Sequence, residues 1–459
     1  MKIFFILFQL TIYIYHLFII ENNMLKHDYD FFSLNYIISF IIISIYSIKK
    51  NGVASSSSLF LVTYFVFVGS RVFLDFFGVS NLLETNLFYY TILKESTAHL
   101  FLFINQGLLF AFYVVIIFFR FESKKKYEIN VNSSFYSNLK LLLKIIFPIT
   151  LLLNIYSLNL ILTSGSYLSI FNGTFEGDFL YNLSYKLQIF YNSLYIIFLA
   201  SNNSLKSLNK YSKYYFINLL IFTLRGQRAM FLLFLILYLY IRNNNSKIRI
   251  KNILPIFASV LVLFIFVEYF RADDSQKNKF EVVDQFKFAS LPAEVPLFLI
   301  EYNKNGFVNN STPYFFTPIV DYFNRRLDIV NEDVFLQGRT IELLNKSNYL
   351  SNQLTYYLSK PAYLAGFGTG SSIIAEFYDM FNHRYFMILI GLFFLIIFKT
   401  EKLSNNNIYF KILWLVIFMS FIFSPRDSFL KFFQNFIPVL GILLLLRLTS
   451  KSNELHIKS

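Results

Sequence analysis

The chain alternates long apolar runs with short loops that hold most of its charge. Runs of spanning length lie at about 3–20, 31–48, 59–79, 97–119, 139–162, 180–199, 252–270, 385–398, 408–423 and 429–447. A hydrocarbon core about 30 Å thick calls for about 20 helical residues. The run at 385–398 reaches that length if its helix starts upstream, near Ser372. Two shorter runs, Tyr214 to Leu224 and Ala229 to Ile241, flank the turn Thr223-Leu224-Arg225-Gly226-Gln227-Arg228. The pattern predicts an all-α polytopic membrane protein of about twelve transmembrane helices with a large extracytoplasmic loop of short helices. Residues 1–270 hold the first helices, 271–381 the loop and 382–459 the C-terminal helices.

The two short runs predict a re-entrant-like hairpin over 214–241. Arms of about eleven and thirteen residues climb roughly 16 to 20 Å, less than the membrane's thickness. Arg225 and Arg228 are therefore expected to sit sunken in a watery cavity, because an arginine at mid-bilayer costs roughly 2.5 to 3.5 kcal/mol. Two such charges point to an anionic partner. The alternative is an internal salt bridge to a carboxylate on a neighbouring helix.

Charge sets the orientation. Basic clusters at Lys49-Lys50, Arg120 with Lys124 to Lys126, Lys206 to Lys213, Arg242 to Lys251, Lys399 with Lys402, and Arg447 with Lys451 all fall on one side. The opposite short loops carry little beyond Lys26, Lys94, the hairpin arginines and Arg426, so both termini are expected in the cytoplasm. With 56% hydrophobic and 15% charged residues among 459, a soluble domain is excluded. The net charge of +14 is then topology and does not indicate nucleic-acid binding. The absence of cysteine excludes disulfides, thiolate zinc sites and cysteine nucleophiles.

The segment 271–381 begins at Arg271, and Pro292, Pro296, Pro313 and Pro318 break it into short helices. Asp321-Tyr322-Phe323-Asn324-Arg325-Arg326 and Gln337-Gly338-Arg339 mix aromatic rings with carboxylate, amide and guanidinium groups. That mixture suits carbohydrate, although aromatics also anchor helices at a membrane interface. The segment ends in a glycine-rich turn, Gly366-Phe367-Gly368-Thr369-Gly370-Ser371-Ser372, running into a helix, which is a potential phosphate site. On that helix Ser372, Glu376, Asp379 and His383 fall on one face by spacing. A base, a metal or a solvated stripe would each fit there. Beyond it, Ser424-Pro425-Arg426-Asp427-Ser428 forms a short outer turn with Asp427 as a local partner for Arg426. Arg71 and Asp75, four apart on the third run, read as a mutually neutralising pair.

Taken together, Arg225-Gly226-Gln227-Arg228 on a short hairpin, the large outer loop, the run Gly366 to Phe381 and Pro425-Arg426 resemble the Wzy-type O-antigen and capsular repeat-unit polymerases. Gly368-Thr369-Gly370-Ser371-Ser372 with Ala375-Glu376-Phe377-Tyr378 is similar to a signature of the branch that includes enterobacterial common antigen enzymes. Where that signature closes with Asn-Phe-Gly, this chain has Asp379-Met380-Phe381-Asn382. The resemblance implies a metal-independent GT-C glycosyltransferase without cofactor, in the bacterial cytoplasmic membrane with its site facing outward. Donor and acceptor would both be undecaprenyl-diphosphate-linked oligosaccharides, with the bilayer and a chain-length regulator as further partners. Arg225, Arg228, Arg271, Arg325, Arg326, Arg339 and Arg426, with Gly368, Gly370, Ser371 and Ser372, are the expected diphosphate-binding residues. Glu376 is the leading base; Asp379, His383, Asp321 and Asp328 are rivals, and a structural role for Glu376 beside an arginine is the alternative. A related ligase or a flippase also remains open; the long outer segment argues against the flippase.

Overall fold

The computed structural model describes residues 2–22, 24, 28–85, 91–119, 133–164, 175, 177–201, 204–225, 228–246, 248–252, 255, 289–303, 305, 307–308, 312–327, 329–330, 334, 339–404 and 407–457. Nearly all of these residues are helical. In chain order the helices are α1 (Lys2–Glu21), α2 (Tyr29–Asn51), α3 (Ser56–Phe76), α4 (Glu95–Phe118), α5 (Ser133–Thr163), α6 (Phe179–Ser201), α7 (Leu205–Leu224) and α8 (Arg228–Asn245). The outer segment contributes α9 (Glu294–Tyr302), α10 (Thr317–Arg326), α11 (Ile341–Lys346), α12 (Leu350–Leu358) and α13 (Lys360–Leu364). After them come α14 (Ile373–Leu403), α15 (Ile408–Phe423) and α16 (Phe432–Ile457). Among the described residues, six stretches are long and apolar enough to cross a membrane: α1 to α4, most of α5, and Phe429–Leu448. The chain packs as two compact units, residues 1–121, 280–399 and 420–431 in the first and the remainder in the second.

In the first unit the usual order of polar and apolar surfaces is reversed. On α1 the side chains of Ile3, Phe4, Leu7 and Phe18 are exposed, while Gln9 and His16 are buried. Gln9 donates to Asn35 at 3.1 Å, His16 meets Gln106 at 3.0 Å, and Tyr36 donates to Tyr64, which donates to Asn105. Lipid-facing apolar surface with polar contacts between helices is the pattern of a multi-pass membrane protein.

The third run departs from its predicted pairing. Arg71 reaches Glu294 of α9 at 3.6 Å, and Asp75 accepts from Tyr29 at 2.5 Å and from the Leu82 backbone at 2.7 Å. A carboxylate from a distant segment thus displaces the local one. It also ties α9 to α3, and Glu301, paired with Lys94 at 3.2 Å, ties it to the start of α4.

In the second unit the hairpin arms are longer than the apolar runs that predicted them. Helix α7 has 20 residues and α8 has 18, because the helix continues through Lys206, Lys210 and Lys213 to a cap at Ser204. Straight-chain polar residues lose little rotamer freedom in a helix, so the apolar run measures only the apolar part. The unit's core stacks Tyr195 on Tyr215, with ring centroids 3.7 Å apart, and joins Trp414 to the Tyr240 hydroxyl at 2.9 Å. Most of the run at 252–270, together with Arg271, Asp328, Gln337 and Gly338, lies outside the described residues.

Candidate active site

In the first unit two pieces far apart in sequence meet at the glycine-rich turn. Gly366 and Gly370 adopt φ of +89° and +79°, left-handed conformations that suit glycine. The turn then enters α14, where the Ile373 N–H donates to the Ser424 carbonyl at 2.8 Å. A Cβ on Gly370 would lie 3.1 Å from the Arg426 carbonyl, so the outer turn 424–428 packs directly on this one. Arg339 completes the cluster: its guanidinium lies over Gly368, where a Cβ would collide with it, and donates to the Phe367 carbonyl.

Two of the turn's backbone N–H groups are taken by side chains of α12. Thr369 N–H donates to the Thr355 hydroxyl at 3.0 Å and Gly370 N–H to the Ser351 hydroxyl at 3.1 Å. Ser371 and Ser372 are fully buried. The reason is general: a buried N–H needs a partner, and α12 supplies hydroxyls four residues apart on one face. That Ser351/Thr355 spacing is the local signal by which the sequence could have revealed this contact. The cation seated on the turn is Arg339.

Two carboxyl groups flank the turn in different states. Glu376 is 1% exposed and its Oε1 accepts from Ser371 at 2.7 Å, with Ser428 and the Phe429 N–H also beside the carboxyl. It precedes the apolar part of α14, and burial pushes its pKa well above the usual carboxyl value, with the charge of Asp427 adding to the effect. The Asp427 side chain is 31% exposed and accepts from Tyr349 at 2.8 Å, from its neighbour's N–H at 2.8 Å and from Lys431 at 2.7 Å. Burial works against its charge as well, yet Lys431, Tyr349 and the Ser428 N–H outweigh it and hold the pKa below the usual value. Asp427 is thus engaged by Lys431, and its predicted pairing with Arg426 is not formed. Arg426 is exposed, with its guanidinium 5.4 Å from the ring of Phe67.

The other predicted residues divide. Asp379 stays on the helix of Glu376 and accepts from the Tyr314 N–H at 3.3 Å. His383 does not share that face, because Asn382, with φ +56° and ψ 174°, breaks α14 between them. Beyond the break His383 meets the Asn382 side chain at 2.7 Å and Glu21 at 3.8 Å. Arg325 and Arg326 end α10, with Arg326 lying 5.7 Å from the ring of Tyr322. Asp321 on the same helix accepts from Ser347 at 2.5 Å, and burial raises its pKa to about 6.

The second unit holds the hairpin arginines. Arg225 is only 4% exposed, and its Nη1 donates to Asn154 at 2.7 Å and to Ser184 at 2.9 Å. It also lies 5.0 Å from the ring of Tyr181. An amide oxygen and a hydroxyl thus accept from this guanidinium. Arg228 begins α8 and is half-buried; Gly226 and Gln227 lie outside the described residues.

The family model for O-antigen polysaccharide polymerase Wzy matches residues 1–454, essentially the whole chain. The chain belongs to this family. No curated protein and no solved structure matches it. Membership in the Wzy family gives the chain the role of an O-antigen repeat-unit polymerase, a polymerase of the glycosyltransferase type. It agrees with the reversed polarity of the helices, which marks a multi-pass membrane protein.

Proposed function

We propose that the protein joins undecaprenyl-diphosphate-linked oligosaccharide repeat units at the outer face of the bacterial cytoplasmic membrane. The chain crosses the membrane about twelve times with both termini inside, and 271–381 forms the outer loop; the one-sided basic clusters support this orientation. A hydroxyl of the incoming lipid-linked unit attacks the reducing-end carbon of the growing chain. The carbon–oxygen bond to the lipid diphosphate breaks and its electron pair stays on the diphosphate.

The observation that carries this reading is the placement of Arg339, Glu376 and Asp427 around one turn, although they stand 37 and 51 residues apart in sequence. A diphosphate leaving group needs its charge neutralised more than it needs a proton, and guanidinium groups do this bidentately. Arg339, Arg325 and Arg326 of the outer loop and Arg426 of the short outer turn are the proposed diphosphate contacts of the first unit; Arg225 and Arg228 of the hairpin are those proposed for the second unit, with no metal or cofactor. Glu376 is the proposed acceptor of the hydroxyl proton; it must first give up its own proton as the lipid-linked unit enters, and a carboxyl with raised pKa is then the stronger base. The partial exposure of Asp427 favours it as a second reading for that step.

Reconstituted protein given a lipid-linked repeat unit is expected to form a ladder of products and release lipid diphosphate. Glu376→Gln should abolish the ladder while substrate still binds, and Asp427→Asn should leave it intact. The reverse pattern would assign the proton to Asp427. A preparation that forms no product longer than one unit overturns the polymerase reading.

A further inference from the structure

Behind Arg225 lies a chain of buried amides that α5, α6 and α7 build together. Asn154 accepts from Arg225 and donates through its amide nitrogen to Gln188 at 2.8 Å and Asn218 at 3.0 Å. Asn218 donates to Gln188 at 2.9 Å, and Gln188 donates to Asn192 at 2.8 Å. Asn192 also accepts from the Tyr215 hydroxyl at 2.7 Å. Asn154 and Asn218 are 0% exposed and Gln188 is 1%.

The direction of the network follows from its end member. A guanidinium only donates, so the Asn154 oxygen must face it, and the Asn154 nitrogen must then face Gln188 and Asn218. Each bond polarises the next, and together they hold the arginine tip to one place. A network whose sole task was to glue three membrane helices would serve equally with hydroxyls or small residues. This one ends on a cation, and it does so with a neutral oxygen.

We propose that Asn154, backed by Gln188 and Asn218, is a positioning residue that holds Arg225 in the geometry for gripping the substrate's diphosphate. An amide at this place takes the hydrogen bond of the guanidinium without taking its charge. A carboxylate within 2.7 Å would pair with Arg225 and weaken its pull on an anion. The inference rests on the reading of Arg225 as a diphosphate contact.

Asn154→Asp and Asn154→Ser are assayed in reconstituted protein with the lipid-linked repeat unit, with Arg225→Lys alongside. The expected result is normal accumulation of Asn154→Asp, a KM raised about tenfold or more, and a kcat within about twofold of wild type. Asn154→Ser keeps a neutral oxygen too short to reach, and it is expected to raise KM by a smaller factor. Should the aspartate variant not accumulate, the serine variant decides. An unchanged KM in the accumulating variants, with Arg225→Lys impaired, overturns the positioning role and leaves the diphosphate reading standing. An Arg225→Lys protein with wild-type KM and kcat overturns that reading, and this inference with it.

Discussion

The guanidinium of Arg339 rests on the bare backbone of Gly368, in space that any other residue's Cβ would occupy. The two residues are therefore one device, a cation and the gap that seats it. Gly368→Ala should displace Arg339 and lower polymerisation about tenfold or more, close to the effect of Arg339→Ala. The double variant should be no worse than the poorer single one, because both remove the same placement. Product ladders from the three variants check this, and additive losses would separate the residues.

Glu376 makes stability depend on pH in a stated direction. Its folded pKa lies above the unfolded value near 4.5, so the folded state keeps a proton that the unfolded chain gives up as pH rises past that value. The stability this supplies is fully present below pH 4.5 and is lost progressively as pH climbs to the raised folded pKa. Glu376→Gln, which cannot ionise, should flatten that loss, melting higher than wild type in alkaline detergent solution and equally at pH 4.5. Equal melting temperatures at every pH would contradict the buried, protonated state.

The Arg71–Glu294 pair should be costly to halve. Side chains 7% and 1% exposed leave the remaining charge little water, so Glu294→Ala is expected to destabilise the fold by about 3–5 kcal/mol. Arg71→Met combined with Glu294→Leu should recover most of that loss. Accumulation in the membrane and thermal melting of the single and double variants test the pair directly.

The hairpin cations should act by shape as well as charge. Arg225→Lys and Arg228→Lys are each expected to accumulate normally and polymerise poorly, because an ammonium cannot reproduce the planar fork. Full polymer length from both lysine variants would remove the hairpin from the site.

Six spanning helices were legible because bilayer thickness dictates apolar runs of that length. Helix ends were less so, as α7 shows by running through its lysines. The site was half legible. Gly366 to Glu376 stood out as a glycine-rich turn before a helix, but Ser351 and Thr355, which occupy two of the turn's N–H groups, come from another helix. Asp427 looked like a partner for its neighbour Arg426 until Lys431 and Tyr349 claimed it. Glu294 as the partner of Arg71 could not be read at all, since more than two hundred residues separate them and no spacing rule links them. The break at Asn382, which takes His383 off the face of Glu376, is a left-handed asparagine inside an otherwise periodic stretch.

The central claim is that this chain extends a lipid-linked glycan by whole repeat units. A strain lacking the protein, examined for its surface polysaccharide, should show single repeat units capped onto their carrier and no longer products, with the ladder restored by the wild-type chain. A ladder of unchanged length in that strain would contradict the account, and so would loss of all lipid-linked material from the outer face.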